Sequence, residues 1–299
     1  MKLLSLLTPR YWLWWIGIGW LWCLTRLPYR WQLVIGRLIG RLGYQLAQRR
    51  RHIANTNLQL CFPQLTEVER QQLVRHHFES LGMGLLEMLC AWWLPNPTLE
   101  PFGHLQGLEH LTTALAQGKG VILLGAHFTS LEIGMRFLTM QVAFHVTYRA
   151  HENPVVEYIM KKSRERWAEK AIPRDAVREM LRSLKRNKPL WIATDQNFGH
   201  KHSVFAPFFG NLAATNTAVS RLAQASGATV IPIFAQRLAT KEYEVVLQPP
   251  LKHFPSGDVQ KDALTINQLI EKQILLAPEQ YLWVHRRFKD RPQGEARIY

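Results

Sequence analysis

The sequence predicts an α/β fold: a mostly parallel central sheet flanked by helices, preceded by an N-terminal hydrophobic anchor helix and a helical segment. Three observations carry that expectation. Short apolar runs recur after residue 100, at Val121–Leu124, Leu190–Thr194, Thr229–Ala235, Tyr243–Leu247 and Tyr281–His285. Helix-like stretches lie between several of them, over 132–140, 154–170, 175–186, 216–226 and 261–276, and strands alternating with helices build a parallel layer. Before residue 100 the apolar residues follow helical spacing instead, and Pro95 and Pro97 close that region. Three parts follow: an anchor at 1–27, a helical segment at 28–99 and an α/β domain at 100–299.

The first element is the uncharged run YWLWWIGIGWLWCL from Tyr11 to Leu24, between Arg10 and Arg26. Fourteen helical residues reach about 21 Å, short of the roughly 30 Å of a hydrocarbon core. A shallow or tilted anchor is therefore preferred to a clean span. A signal peptide is disfavoured, because no small-residue cleavage site follows. From Tyr29 to Arg51 apolar residues at helical spacing alternate with Arg30, Arg37, Arg41 and Arg49–Arg51. Such a helix can lie on anionic lipid or pack on the core with solvated arginines. Residues 67–93 read as a further helix, with Leu73, Phe78, Leu81, Leu85, Leu86 and Leu89 as its apolar series.

The formal net charge of +15 calls for an anionic partner: nucleic acid, lipid phosphate or an acidic carrier protein. Nucleic acid is disfavoured, since no zinc-finger spacing, ribonucleoprotein signature or basic zipper is present. The eleven tryptophans, clustered early in the chain, suit a headgroup region. The three cysteines, Cys23, Cys61 and Cys90, are scattered and read as reduced, buried thiols. The pairs His76-His77 and His200-x-His202 lack companion ligands, so no metal is expected.

The sharpest local signal is Gly125-Ala126-His127-Phe128-Thr129-Ser130-Leu131-Glu132. His127 follows a strand and Glu132 falls early in the next helix. On one continuous helix, positions five apart lie about 140° apart around the axis and would not meet. A strand-end turn can bring them together, letting the carboxylate fix the imidazole tautomer while the other nitrogen takes a hydroxyl proton. The competing reading is a capping box over Thr129–Glu132, with Glu132 serving a backbone donor.

Other candidates end apolar stretches in the same way. Arg149 follows Val142–Tyr148, and Asp195 follows Leu190–Thr194. Asp195 can orient a cation or a hydroxyl, or serve as a turn residue. His285-Arg286-Arg287 can bind phosphate, or Arg286 and Arg287 can be surface arginines. The apolar SVFAPFFG at 203–210 can line an acyl pocket or belong to the core.

At these residues the chain resembles the late acyltransferases of lipid A biosynthesis in Gram-negative bacteria, in the lauroyl-transferring branch. The resemblance runs through PRYWLWWIGIGWLW from Pro9, NLQLCFP at 57–63, FESLGMGLLE at 78–87, GAHFTSLEIG at 125–134, YRAHENP at 148–154, SVFAPFFG at 203–210 and APEQYLWVHRRFKDRPQG at 277–294. It implies transfer of an acyl chain from acyl carrier protein to a hydroxyl of the Kdo-bearing lipid A precursor, at the cytoplasmic face of the inner membrane. By the same resemblance His127 and Glu132 form the catalytic pair, Arg149 and Asp195 match further motif positions, and the acyl-carrier thioester is the donor, with no other cofactor. The third motif departs from the family: Asp195-Gln196-Asn197-Phe198-Gly199 stands where relatives carry histidine and tyrosine at the second and fourth positions. A glycerophospholipid acyltransferase shares the histidine–acid element, but its Phe-Pro-Glu-Gly-Thr-Arg-like phosphate motif is missing. A non-catalytic lipid-binding protein would explain charge and anchor but not the histidine and acid.

Overall fold

A computed structural model describes residues 3–199 and 202–299; His200 of the histidine pair lies outside them. The chain begins with helices α1 (Trp12–Leu24), α2 (Tyr29–Leu46), α3 (Gln48–Cys61) and α4 (Glu67–Trp93), then a single turn α5 (Asn96–Leu99). The expected helix over 29–51 is broken at Ala47, whose φ of −90° and ψ of 59° separate α2 from α3. By contrast α4 has the expected bounds. Thr66 and Glu69 form a true capping box at its start, satisfying backbone donors reciprocally.

The α/β part follows as β1 (Gly103–Gln106), α6 (Leu108–Ala116), β2 (Val121–Gly125), α7 (Leu131–Thr139), β3 (His145–Tyr148), α8 (Pro154–Trp167), β4 (Lys170–Pro173), α9 (Val177–Lys185) and β5 (Pro189–Ala193). A hairpin of β6 (Ser203–Phe208) and β7 (Asn211–Asn216) leads to α10 (Ala218–Ser226), β8 (Thr229–Arg237), β9 (Tyr243–Leu247) and α11 (Val259–Leu276). Seven strands form one sheet in the order β1-β9-β8-β2-β5-β3-β4. Every pairing is parallel except β8 with β9. The expected strand at Tyr281–His285 is corrected: only an isolated bridge between Tyr281 and Phe128 forms, and turns follow.

The central strand shows why the sheet is continuous apolar sequence rather than alternating. Val121 and Leu123 face a core with Leu111 of α6 and Ile133 and Phe137 of α7. Ile122 and Leu124 face the opposite core, with Leu184 of α9, Leu222 of α10, Ile270 of α11, and Val74 and Phe78 of α4. Both faces of a parallel sheet are covered, so both residue parities must be apolar. Each such side chain stabilises the fold by about 1.5–3 kcal/mol.

The helical segment is joined to this core through α3, by Ala54, Leu58 and Cys61, and through α4. Helices α2 and α4 cross so closely that a Cβ at Gly40 would lie 2.1 Å from the Phe78 carbonyl oxygen, and one at Gly82 would lie 2.0 Å from that of Gly36. Glycine is required there by backbone contact rather than by turn geometry. The other side of α2 carries Trp31, Val34, Leu38, Leu42 and Leu46, all exposed, and none of the residues of α1 is buried. Among the described residues, no helix is long and apolar enough to cross a membrane; α1, the expected anchor, has 13 residues.

Candidate active site

Sheet register builds the centre of the site. Strands β2 and β5 are parallel neighbours, and Gly125 is the partner of Ala193. Two residues further along each chain, His127 and Asp195 emerge side by side at the carboxyl ends, the usual position for a site in such sheets. The Asp195 carboxylate accepts from the His127 backbone N–H at 3.0 Å and pairs with Nδ1 at 2.7 Å. Its side chain is 1% exposed, against 29% for His127. The buried carboxylate therefore holds a proton on Nδ1, leaving Nε2 without a hydrogen-bond partner among the described residues.

Electrostatics favour the same arrangement. Burial disfavours the imidazolium of His127, but the Asp195 charge and hydrogen bond outweigh it, with a smaller contribution from Glu132, and its pKa is raised. Burial works against the Asp195 carboxylate as well, yet His127 and then Arg287 hold its pKa down to about 2.

The loop carrying His127 is pinned from behind. Leu282 N–H donates to the His127 carbonyl at 3.0 Å, and Thr129 N–H to that of Gln280 at 2.8 Å. Gln280 in turn exchanges two hydrogen bonds with the Arg237 backbone, at 2.8 and 2.9 Å. The Arg237 side chain forms a buried bidentate pair with Glu87 and donates to Ser80 Oγ, which also bonds Thr129 Oγ1 at 2.7 Å. Ser80, Glu87 and Gln280 lie within stretches that carry the family resemblance, but nothing in those stretches marks them as partners of Arg237; sheet order and the α4 contact bring the four together.

Glu132 is placed differently from the expectation. The imidazole partner is Asp195, and Glu132 instead pairs with Arg164 of α8 and accepts from Trp92 Nε1 at 3.4 Å. The capping-box alternative fails too. Helix α7 begins at Leu131, so Glu132 is its second residue, one short of the position that closes the box; Ser130, with no cap hydrogen bond, donates to the Ala235 carbonyl at 2.9 Å.

His127, Glu132, Arg149 and Arg164 border one cavity of about 320 Å³, whose walls are largely apolar: Trp92, Met135, Phe144, Val146 and Trp191 among them. Arg149 is exposed at its edge, 4.0 Å from Glu152. Arg136, 3% exposed, also borders it, stacked 3.5 Å from the Trp167 ring centroid. Arg164 and Arg136 were not singled out by sequence. Arg164 sits in a basic helical run with Lys161, Lys162 and Arg166, where nothing local marks it.

The C-terminal expectations need correction. Arg287 is 1% exposed and donates to the Ala214 carbonyl at 2.6 Å and Thr215 Oγ1 at 2.9 Å, so it is a core residue. Arg286 is half-buried over the Tyr299 ring, outside the residues that border the cavity. His285 accepts from Asn197 N–H at Nε2, and Asn197 exchanges hydrogen bonds with Asp290. Burial lowers the His285 pKa to about 4 and keeps that acceptor neutral. The segment 203–210 forms a hairpin strand whose Phe208 is buried in the core, not in the cavity wall. Among the described residues no group of three or more His, Cys, Asp or Glu could hold a metal ion. His77 instead lies buried with Nδ1 on the Glu279 carbonyl.

The profile of bacterial lipid A biosynthesis acyltransferases matches residues 2–290. The chain is 39% identical over 292 residues to the lipid A biosynthesis lauroyltransferase of Escherichia coli (strain K12), covering 97% of this chain and 95% of that one. It is 40% identical over 296 residues to the palmitoleoyltransferase of the same organism, covering 98% and 96%. A lipid A biosynthesis acyltransferase of Haemophilus influenzae (strain ATCC 51907 / DSM 11121 / KW20 / Rd) is 32% identical over 291 residues, 96% of this chain and 93% of that one. This chain belongs to the bacterial lipid A biosynthesis acyltransferase family.

Proposed function

We propose that the chain transfers a lauroyl group from acyl carrier protein to a hydroxyl of the Kdo-bearing lipid A precursor, at the cytoplasmic face of the inner membrane. One observation carries the reading: His127 is held at Nδ1 by the buried Asp195 while it borders an apolar cavity. In the transfer, His127 Nε2 takes the proton of the acceptor hydroxyl as the oxygen attacks the thioester carbonyl. The ester C–O bond forms, the C–S bond breaks, and the carrier thiolate leaves with the proton returned from the imidazolium. Asp195 stabilises that imidazolium and holds the tautomer. No metal or further cofactor takes part.

Glu132 fixes the Arg164 guanidinium at the cavity wall, and Arg164 with Arg149 supplies positive charge for the carbonyl oxygen or for substrate phosphate. The apolar wall accepts the acyl chain. The +15 charge suits both an acidic carrier and a phosphorylated acceptor. The exposed faces of α1 and α2, with arginines alongside, support contact with an anionic lipid surface by residues 1–51, in which α1 lies in the interface.

A second chain length has equal standing among relatives, because the palmitoleoyltransferase is as similar as the lauroyltransferase. Purified protein supplied with lauroyl- or palmitoleoyl-acyl carrier protein and the Kdo-bearing acceptor tests both. Lauroyl transfer at the higher kcat/KM is expected; preference for palmitoleoyl would reassign the donor, and no transfer from either would end the proposal.

A further inference from the structure

A second cavity, of about 390 Å³, lies between α1 and α8. Its apolar side is formed by Trp15, Ile18 and Trp22 of α1 facing Trp93 and Ile159, and its rim carries Lys162 and Arg166. Among the described residues no carboxylate borders it, and both cations are exposed. Trp92 and Ser163 border this groove and the His127 cavity alike, so a single wall of α4 and α8 side chains separates the two. Gly19 lies in the groove, and a Cβ there would meet no atom within 4 Å.

Indole rings with lysine and arginine beside them form the environment of a lipid headgroup, where hydrocarbon, ring and phosphate meet. Helix α1, with its exposed tryptophans, forms one wall of this groove. We propose that the groove is the acceptor subsite: it holds hydrocarbon of a phosphate-bearing glycolipid against Trp15, Ile18 and Trp93, with a phosphate on Lys162 and Arg166. The inference rests on the acyl-transfer reading for the identity of the acceptor. It adds a separate seat beside the cavity that takes the donor chain. A lipid seated there keeps its remaining chains at the membrane while its hydroxyl passes the Trp92–Ser163 wall to His127.

Two full-length variants test this without touching the His127 cavity. Gly19→Phe fills the groove from a position with open space, and Lys162→Glu reverses the charge of a rim residue whose ring contact, Tyr158, borders only the groove; Arg166 is left in place because it stacks on Trp167 of the His127 cavity. Both are expected to raise KM for the glycolipid by about tenfold or more, leaving KM for the acyl donor and kcat at saturating acceptor within about twofold. Direct binding of the phosphorylated glycolipid in detergent micelles, measured in the His127→Ala background, is expected to weaken to the same degree. The dephosphorylated glycolipid should already bind weakly, and the charge reversal should not weaken it further. Unchanged acceptor KM and unchanged binding in both variants would overturn the proposal. A wild-type protein that binds the glycolipid in the groove yet transfers no acyl group would overturn the enzymatic reading and leave the subsite standing.

Discussion

Two carboxylates bias the charge of His127, and the protein builds them differently. Asp195 is 1% exposed at its side chain, receives two hydrogen bonds from His127, and is held by a loop that His285 and Asp290 secure. Glu132 is 23% exposed, and its partner Arg164 is 21% exposed, on a helix that forms the cavity wall. A buried carboxylate is costly to keep ionised unless its partner is fixed, so Asp195 commits the site to one imidazole tautomer. The Glu132–Arg164 pair faces solvent-accessible space, where it can exchange partners with a substrate. In the proposed mechanism this difference gives proton transfer to one pair and substrate charge to the other.

The largest effects should fall on the first pair. His127→Ala removes the proton acceptor, and turnover is expected to drop by roughly two to four decades with the fold retained. Melting temperature and initial transfer rate on the same preparation check this. Near-normal transfer by the folded variant would remove His127 from the mechanism. Asp195→Asn should cost about a hundredfold or more in kcat, since an amide can hold the wrong tautomer and gives no charge to the imidazolium.

Substitution of the second pair should act more weakly and mainly on KM. Glu132→Gln is expected to lower kcat/KM by about tenfold, chiefly through KM, and Glu132→Asp less, because a carboxylate remains for Arg164. If Glu132→Gln matched His127→Ala in kcat while Asp195→Asn retained activity, the assignment of the two carboxylates would be reversed.

The buried Glu87–Arg237 pair offers a control that acts through structure. Glu87→Ala leaves Arg237 charged and unpaired behind the His127 loop, at a cost of about 3–5 kcal/mol in stability. Denaturant unfolding should show that loss, and an unaffected midpoint would remove the pair from the scaffold of the site.

The weakest expected effect concerns the surface. Deletion of residues 1–27 should release much of the protein from anionic vesicles, with α2 retaining a salt-sensitive fraction. Full retention at high salt would place the lipid contact elsewhere.

Legibility in the sequence followed the range of the interactions. Val121–Leu124, Tyr243–Leu247 and the helix at 67–93 were readable because their periodicity and caps are local. The four-residue strands β1, β3 and β4 were not assigned, since their pairing depends on neighbours far along the chain. His127, Arg149 and Asp195 were singled out as residues following apolar runs and Glu132 as an acid early in the next helix, and the structure puts His127, Glu132 and Arg149 on one cavity. Their partnerships were not legible, because only the adjacency of β2 and β5 puts Asp195 on the imidazole. Arg287 failed as a phosphate ligand for the same reason: the β7 carbonyl and hydroxyl that bury it are remote in sequence.

The most direct test is the acid limb of the pH–rate profile in wild type, Asp195→Asn and Glu132→Gln. The carboxylate raises the His127 pKa, so the wild-type rate should rise with pH through an apparent pKa above that of an ordinary imidazole, as the imidazolium loses its proton. Without the Asp195 charge, burial becomes the controlling influence, and the limb should move to lower pH while the plateau falls. Glu132→Gln should move the limb much less. A limb unmoved in Asp195→Asn but shifted toward acid in Glu132→Gln would contradict the account and make Glu132 the partner of the catalytic histidine.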